Sequence, residues 1–376
     1  MIKTCSRCLM DSSDPEIFFN KNGICNLCEE FLKFRLPLIR GLKLSGQETA
    51  LQNLMREVAL VGKNSSYDCV IGVSGGVDSS YLLHLACESG LRVLAVHLDN
   101  GWNSPIAAAN INKIVLKTNS AYRSYVLPWQ DLKAIQIAFL KAGVPEADTP
   151  TDVAIQRAVH HYAKHEGIKY ILSGGNLSTE GILPISWHYN ARDTKYSHSI
   201  LKAHQVKTKL FRPLRFGFIE EFVAKILFRI KTIYPLNSVD FSRSEAKELL
   251  SRLYGWEDYG SKHGESKYTK FLQNYYLFTK HGIDYRKASL SSELLMNKIT
   301  REEAEKIIAT KPFDEQEVKK QVEYIAKKLG LTTAALEEII SEPPKWYFDY
   351  PNNKKLLGFG YDLYRKIFRK EKTYNF

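Results

Sequence analysis

Val70-Ile71-Gly72-Val73-Ser74-Gly75-Gly76-Val77-Asp78-Ser79-Ser80 is the stretch from which the fold can be read. A short apolar run, Val70 to Val73, enters a loop of small polar residues. Tyr81-Leu82-Leu83-His84-Leu85-Ala86 then continues with helical spacing, so a strand, a tight turn and a helix start follow one another. This order suits phosphate. Gly75 and Gly76 let the backbone turn and approach an anion, while the hydroxyls of Ser74, Ser79 and Ser80 and the first helical N–H groups can donate to its oxygens. Asp78 would repel a bare phosphate and is read as a ligand of an accompanying magnesium ion. The loop has no cation of its own, and no Gly-x-x-x-x-Gly-Lys-Ser/Thr occurs.

A second apolar strand runs from Arg92 to Asp99, with a helix between the two, which indicates a parallel sheet with a right-handed crossover. Sites in such sheets lie at the carboxyl ends of the strands. Asp99 and the Gly101 turn therefore share an edge with the Ser74 loop. Further strands are expected at Tyr122–Leu127, at 169–172 and at Thr232–Leu236. The fourth ends in Ser173-Gly174-Gly175-Asn176, a second glycine pair at a strand end. Helices are expected near 106–117, 129–142 and 151–166, the last with its N-cap and stiff entry supplied by Thr149-Pro150-Thr151-Asp152. The fold class is α/β, a doubly wound parallel sheet.

Trp187 to Lys195 is polar and aromatic without periodicity and reads as a substrate loop or lid, with Lys195 as a substrate contact. Phe218 to Ile230 repeats apolar residues at Phe222, Val223, Ile226, Leu227 and Ile230, an amphipathic helix. Packing of that stripe on the sheet or a partner subunit is favoured over membrane contact. Ser242 to Glu245 is a capping box opening a helix that stops at Gly255. The remainder is helical: 264–281 with Gly282 as C-cap, 284–298, 301–310 with a Thr300/Glu303 capping box, 314–329 and 333–341.

Cys5, Cys8, Cys25 and Cys28 form a C-x2-C-x16-C-x2-C pattern, matching a closed, structural four-cysteine zinc site. An iron–sulfur cluster is the alternative; disulfides fit a reducing compartment poorly. The chain is read as cytoplasmic, because its first residues have no hydrophobic signal core and no apolar run reaches about 18 residues.

The net charge of +12 is concentrated in two places. Eight bases face two acids between Lys202 and Lys231, and eight face three from Lys345 to the end. A solvated basic face, an anionic substrate such as a nucleotide-sugar, an RNA or an anionic membrane surface would each account for that excess. The tail, with Tyr361, Tyr364 and Phe368 among bases, fits packing, a partner or a membrane surface.

The Ser74 to Ser79 string after an apolar strand resembles the PP-loop of the ATP pyrophosphatase superfamily (HUP-like fold). That resemblance implies cleavage of ATP between its α- and β-phosphates with adenylation of a carbonyl oxygen. It makes Ser74, Gly75, Gly76, Asp78 and Ser79 nucleotide contacts, with His97 and Asp99 at the adenosine and Gly174, Gly175 and Asn176 leaving room beside it. The two remaining cysteines, Cys69 and Cys87, are read as core residues away from the strand ends, which favours ammonia over sulfur as the nucleophile. There is no Gly-x-Cys-x-Gly elbow, so a glutaminase should be a separate protein.

Gly255-Trp256-Glu257-Asp258-Tyr259-Gly260-Ser261-Lys262-His263-Gly264-Glu265-Ser266-Lys267 narrows the resemblance. With the cysteine knuckles and the loop, it is similar to the N-acetyl sugar amidotransferase family of WbpG type, from Cys5 to about Ile340. The resemblance implies that ATP and magnesium adenylate the acetamido oxygen of an N-acetylated nucleotide-sugar and that ammonia gives an acetamidino sugar, for surface polysaccharide (LPS O-antigen). It implies ammonia from a HisH-like glutaminase through a HisF-like cyclase-type subunit, with no nucleic acid partner and at most peripheral membrane contact. Lys262, His263, Glu265 and Ser266 become substrate contacts, and Ser74, Asp78, Lys262 and His263 the catalytic set. The expected divisions are a zinc-knuckle module at 1–34, a helical linker at 35–66, the ATP domain at 67–255 and a helical substrate or partner region at 256–376. A PP-loop tRNA-modifying enzyme is the competing reading, and an idle nucleic-acid-binding zinc protein a third.

Overall fold

The computed structural model describes residues 2–44, 47–260 and 264–368. Five strands, β1 (Cys69–Gly72), β2 (Val93–Asp99), β3 (Ala121–Val126), β4 (Tyr170–Leu172) and β5 (Lys231–Ile233), form one parallel sheet in the order β3-β2-β1-β4-β5. Alternate residues serve opposite faces. Val70, Leu94 and Ile171 enter one core, while Ile71, Ala95 and Leu172 enter the other, so the central strands are apolar throughout. Helices Trp129–Ala142 and Thr149–His165 cover the first face; Gln47–Gly62, Val77–Glu88, Pro105–Thr118 and Arg243–Tyr254 cover the second. The sheet is therefore doubly wound. Its order reverses beside β1, with β2 and β3 on one side and β4 and β5 on the other, and a crevice opens at such a switch point.

The cysteine module is stapled to the C-terminal helices rather than hung from the chain. Nη2 of Arg301 donates to the carbonyls of Cys5 and Cys8 at 3.1 and 3.0 Å, and Lys287 pairs with Asp11 at 2.5 Å.

Several local expectations are corrected. Helix Thr149–His165 has Asp148 at its N-cap position, one residue before the expected stretch and without a side-chain cap bond, and Thr149 and Pro150 already lie in its first turn. β5 stops at Ile233, because Pro235 cannot donate to a ladder and opens a 3-10 turn, Pro235–Ser238. The helix expected over 264–281 starts at Lys267, capped by Ser266, and passes through a π segment, Leu272–Tyr276, before ending at Gly282 in the left-handed region with φ 65°. Trp187 to Asp193 is anchored rather than free as a lid would be: Trp187, Tyr189 and Asp193 are buried, and Tyr189 stacks on Tyr347 with ring centroids 4.4 Å apart and donates to Asp193 at 2.7 Å. The helix expected over Phe218 to Ile230 ends at Ile226, and of its apolar stripe only Ile230, beyond that end, is buried in the core; Phe222, Val223, Ile226 and Leu227 face solvent.

Candidate functional site

The Ser74 loop leaves β1 at the crevice and feeds helix Val77–Glu88, whose N-cap is Gly76. Gly75 has φ +80° and its Cα lies so close to the next helix that a Cβ would come within 2.3 Å of the Ala107 carbonyl. Only glycine fits both demands. Inside the loop, Ser79 donates to the Gly76 carbonyl at 3.2 Å, and the Gly76 N–H donates to Ser74 Oγ at 3.2 Å. Asp78 stands in the first helical turn, facing the opening.

The second glycine pair is packed against this turn. A Cβ on Gly174 would lie 3.1 Å from the backbone of Asp78 and of Ser79, so the missing side chain lets the β4 turn pack this tightly against the Ser74 loop. Asn176 is fully buried and caps a short helix by accepting from Thr179 N–H at 3.0 Å. His97 is also committed locally: its Nδ1–H donates to the Val73 carbonyl at 2.8 Å, and its Nε2 accepts from Asn103 at 2.7 Å. It props the start of the loop. Asp99 stays half-exposed at the end of β2 and accepts from Gly101 N–H at 3.0 Å.

Opposite the loop stands the segment after Tyr254. The Trp256 indole Nε1 donates to the Gly75 carbonyl at 3.1 Å, and Asn110 binds Glu257 through both its backbone groups, at 2.8 and 2.9 Å. Further on, Ser104 N–H donates to the Glu265 carbonyl at 2.8 Å and Lys267 N–H to the Trp102 carbonyl at 2.9 Å. These bonds bring Tyr259 and Glu265 over Gly76, where a Cβ would meet them at 3.2 and 3.4 Å. The resulting cleft is lined by Ser74, Gly76, Val77, Asp78, Ser79, Arg243, Tyr259 and Glu265. Burial, with the Glu265 carboxylate beside it, pushes the Tyr259 phenol well above its ordinary pKa, so it is a neutral donor at any working pH.

Of the residues expected at the site, Ser74, Gly76, Asp78, Ser79 and Glu265 line one cleft. Ser266 is the cap of helix Lys267–Phe271, accepting from Thr269 N–H at 3.2 Å. Lys195 is exposed in the first turn of helix Thr194–Ala203 and does not line the cleft. Lys262 and His263 lie outside the described residues. Arg243, Tyr259, Trp256 and Asn110 were missed. Arg243 is the cation that the loop lacks, and its place inside the Ser242 to Glu245 capping box gave it a sufficient structural reason to be there.

Next to the cleft, sharing Tyr259 with it, is an open groove of about 470 Å³. Lys270, Asn274, Lys311, Phe313 and Gln321 are among its lining.

The four N-terminal thiols converge. All of their sulfurs lie within 4.8 Å of one another, with Cys5 to Cys28 at 3.9 Å and Cys8 to Cys25 at 3.7 Å. Four sulfurs bound 2.3 Å from a single tetrahedral ion sit about 3.8 Å apart, so this set is sized for one metal ion. Backbone N–H groups of Arg7, Met10, Cys25 and Cys28 point at the sulfurs from 3.2 to 3.4 Å, as knuckle turns do around thiolates. No helix among the described residues is long and apolar enough to cross a membrane.

Residues 265–367 match the family model described as "LPS biosynthesis protein WbpG-like, C-terminal domain". No curated protein matches the chain. Among solved structures it is similar to the NH3-dependent NAD synthetase of Campylobacter jejuni, at 15% identity over 55% of this chain and 94% of that one, with a TM-score of 0.30. The U34-tRNA thiolase of Methanococcus maripaludis, with its [4Fe-4S] cluster, matches at 14% identity over 80% and 90% with a TM-score of 0.33. The NMN synthetase of Francisella tularensis matches at 14% over 59% and 95% with a TM-score of 0.29. Likenesses this distant add nothing to the local geometry. The matched domain begins at Glu265, a wall of the cleft, and the loop opposite it closes the parallel sheet at its switch point. Residues 265–367, about a quarter of the chain, are thus similar to the C-terminal domain of WbpG-like LPS biosynthesis proteins.

Proposed function

We propose that the protein is the synthetase half of an ATP-dependent sugar amidotransferase. The observation that carries this reading is the cleft itself, in which Arg243 faces the Ser74 to Ser79 loop while the WbpG-like domain contributes Glu265. The loop N–H groups and hydroxyls would hold the β- and γ-phosphates, and Arg243 would neutralise the pyrophosphate as it leaves. Asp78 and Glu265 are hard oxygen donors on opposite walls and would hold magnesium, whose charge offsets that of the phosphates.

The acceptor would enter by the neighbouring groove, whose volume suits a small nucleotide-linked molecule. Its acetamido oxygen attacks the α-phosphorus and pyrophosphate departs. Ammonia then adds to the activated carbon and AMP leaves with the oxygen, giving an acetamidino group. Tyr259, neutral and at the junction of cleft and groove, would donate to the α-phosphate or the acceptor.

The thiols argue against sulfur transfer. Cys69 is the first residue of β1, at the strand end away from the loop, and Cys87 meets Ser120 Oγ at 3.3 Å near the far end of its helix. We further infer that the four-cysteine site holds zinc, that the role is in surface polysaccharide synthesis in the cytoplasm, and that ammonia comes from a HisH-like glutaminase through a HisF-like subunit.

The test is release of AMP and pyrophosphate from ATP, magnesium and ammonium with an N-acetylated UDP-sugar, the product identified by exchange of oxygen for NH in its mass. Sugar-dependent AMP supports the reading. AMP released only when tRNA replaces the sugar would overturn it in favour of tRNA modification.

A further inference from the structure

Helix Phe218–Ile226 and helix Lys354–Phe368 lie side by side and run in the same direction. The Phe218 ring meets Tyr361 edge-on at 5.2 Å, Tyr361 donates to Glu221 at 3.1 Å, and the Lys225 ammonium sits over the Tyr364 ring at 5.6 Å. Contacts therefore use the aromatic and Glu221 sides of the two helices. Their most apolar sides are left outside.

Ile219, Phe222, Val223, Ile226 and Leu227 follow the i, i+3, i+4, i+7, i+8 spacing of one helix face, and Leu356, Phe359, Leu363 and Ile367 line one face of the other helix at i, i+3, i+7, i+11; each is between 38% and 72% exposed. At about 100° per residue, both stripes turn to the same side of the parallel pair. Together they form one ridge of nine large hydrophobic side chains, more than a monomer ordinarily leaves in water.

The charges on these helices are one-sided. Glu220 is paired with Arg215 at 2.8 Å, Glu221 with Arg192 at 2.6 Å, and Asp362 with Arg365. Around the ridge stand the exposed bases Arg229, Lys355 and Lys366. Lys355 and Lys366 flank the Leu356 to Ile367 stripe, from where their stems can lie along a nonpolar layer while the ammonium groups stay at its polar boundary.

We propose that this ridge is a docking face for an anionic lipid bilayer. The apolar residues enter the boundary between headgroups and acyl chains, and the bases meet the headgroup phosphates. A second copy of the chain is the poorer occupant, because two basic rims would be brought together. The proposal is independent of the nucleotide site.

Flotation of the full chain with vesicles of phosphatidylcholine, alone or mixed with phosphatidylglycerol, tests it. Binding is expected to the mixed vesicles, to weaken in high salt, and to fall at least tenfold in the double variant Phe222→Ser/Leu363→Ser and severalfold in Lys355→Gln/Lys366→Gln. Both variants alter exposed side chains, so circular dichroism and melting should be unchanged. No binding to mixed vesicles, or equal binding by the apolar variant, overturns the proposal. So does a concentration-dependent dimer that the apolar variant abolishes while vesicles bind nothing.

Discussion

The indole Nε1 of Trp256 donates to the carbonyl of Gly75 at 3.1 Å, joining residues 181 positions apart in the chain. The bond ties the phosphate loop to the segment that brings Tyr259 and Glu265 over it. Trp256→Phe keeps an aromatic ring but removes the donor, leaving Asn110 Nδ2, at 3.5 Å, as the remaining contact to that carbonyl. A stability loss of about 1–2 kcal/mol is expected, with a larger proportional loss of AMP-forming activity because the loop is less well held. Urea midpoints and pyrophosphate release on the same preparation check this; wild-type activity with full stability would mean that the tie is not used.

Arg243 carries the second prediction. It lines the cleft from the first position of helix Arg243–Tyr254, a helix held by the apolar packing of Ala246, Leu250 and Tyr254. Arg243→Ala should therefore melt within a few degrees of the parent and lose AMP formation by about a hundredfold or more, the usual scale for a preorganised charge at a leaving group. Arg243→Lys should recover only part, since an ammonium cannot fork to two phosphate oxygens. A variant that is both stable and fully active would remove Arg243 from the chemistry.

The sequence made one side of this cleft legible and, apart from Glu265, hid the other. The Ser74 loop and the Gly174 turn are written in contiguous residues whose small size has a local meaning, so strand, turn and edge could all be read from them. Arg243 and Trp256 act through tertiary contacts with a loop far away in the chain, and nothing in their own neighbourhoods points to it. For His97 the strand-end position was visible, but not that its two nitrogens are taken by Val73 and Asn103. The apolar stripe of Phe218–Ile226 was visible too; its facing solvent was not, because periodicity reports a face and not what covers it.

Gly174 offers a test of the glycine argument with a conservative change. In Gly174→Ala the new methyl would sit 3.1 Å from the backbone of Asp78 and Ser79, which cannot rotate away as a side chain could. The loop has to shift by a few tenths of an ångström. Nucleotide affinity should fall by tenfold or more, with a smaller stability loss of about 1–3 kcal/mol from overpacking. Calorimetric titration with a non-hydrolysable ATP analogue is the measurement, and unchanged affinity would show that the two glycine turns move independently.

For the cysteine site, one zinc ion per chain is expected by elemental analysis, and a strong chelator should lower the melting temperature. Cys25→Ser should lose the metal and much of the stability, because the module anchors Arg301 and Lys287 of the C-terminal helices. Arg301→Ala probes the staple while sparing all four thiols: it should weaken metal retention modestly and loosen the C-terminal helices in hydrogen exchange. Several irons per chain with acid-labile sulfide would replace zinc by a cluster.

Glu146 is enclosed with Tyr196, whose hydroxyl donates to it. Burial pushes its carboxyl up to about 8, outweighing the Tyr196 hydrogen bond that favours the charged form. In the unfolded chain the same group releases its proton near 4.3. Between those values the folded protein holds a proton that the unfolded chain has lost, so stability falls as pH rises. The contribution of Glu146 is complete below about pH 4, declines towards pH 8 and is flat above it. Glu146→Gln stays neutral at every pH and keeps an oxygen for Tyr196, so it should remove this decline. At pH 8 the variant is expected to be more stable than the parent by about 1 kcal/mol or more, with the two nearly equal at pH 4.5. Urea denaturation across that range measures the difference, and a variant less stable than the parent at pH 8 would mean that Glu146 is held as a carboxylate.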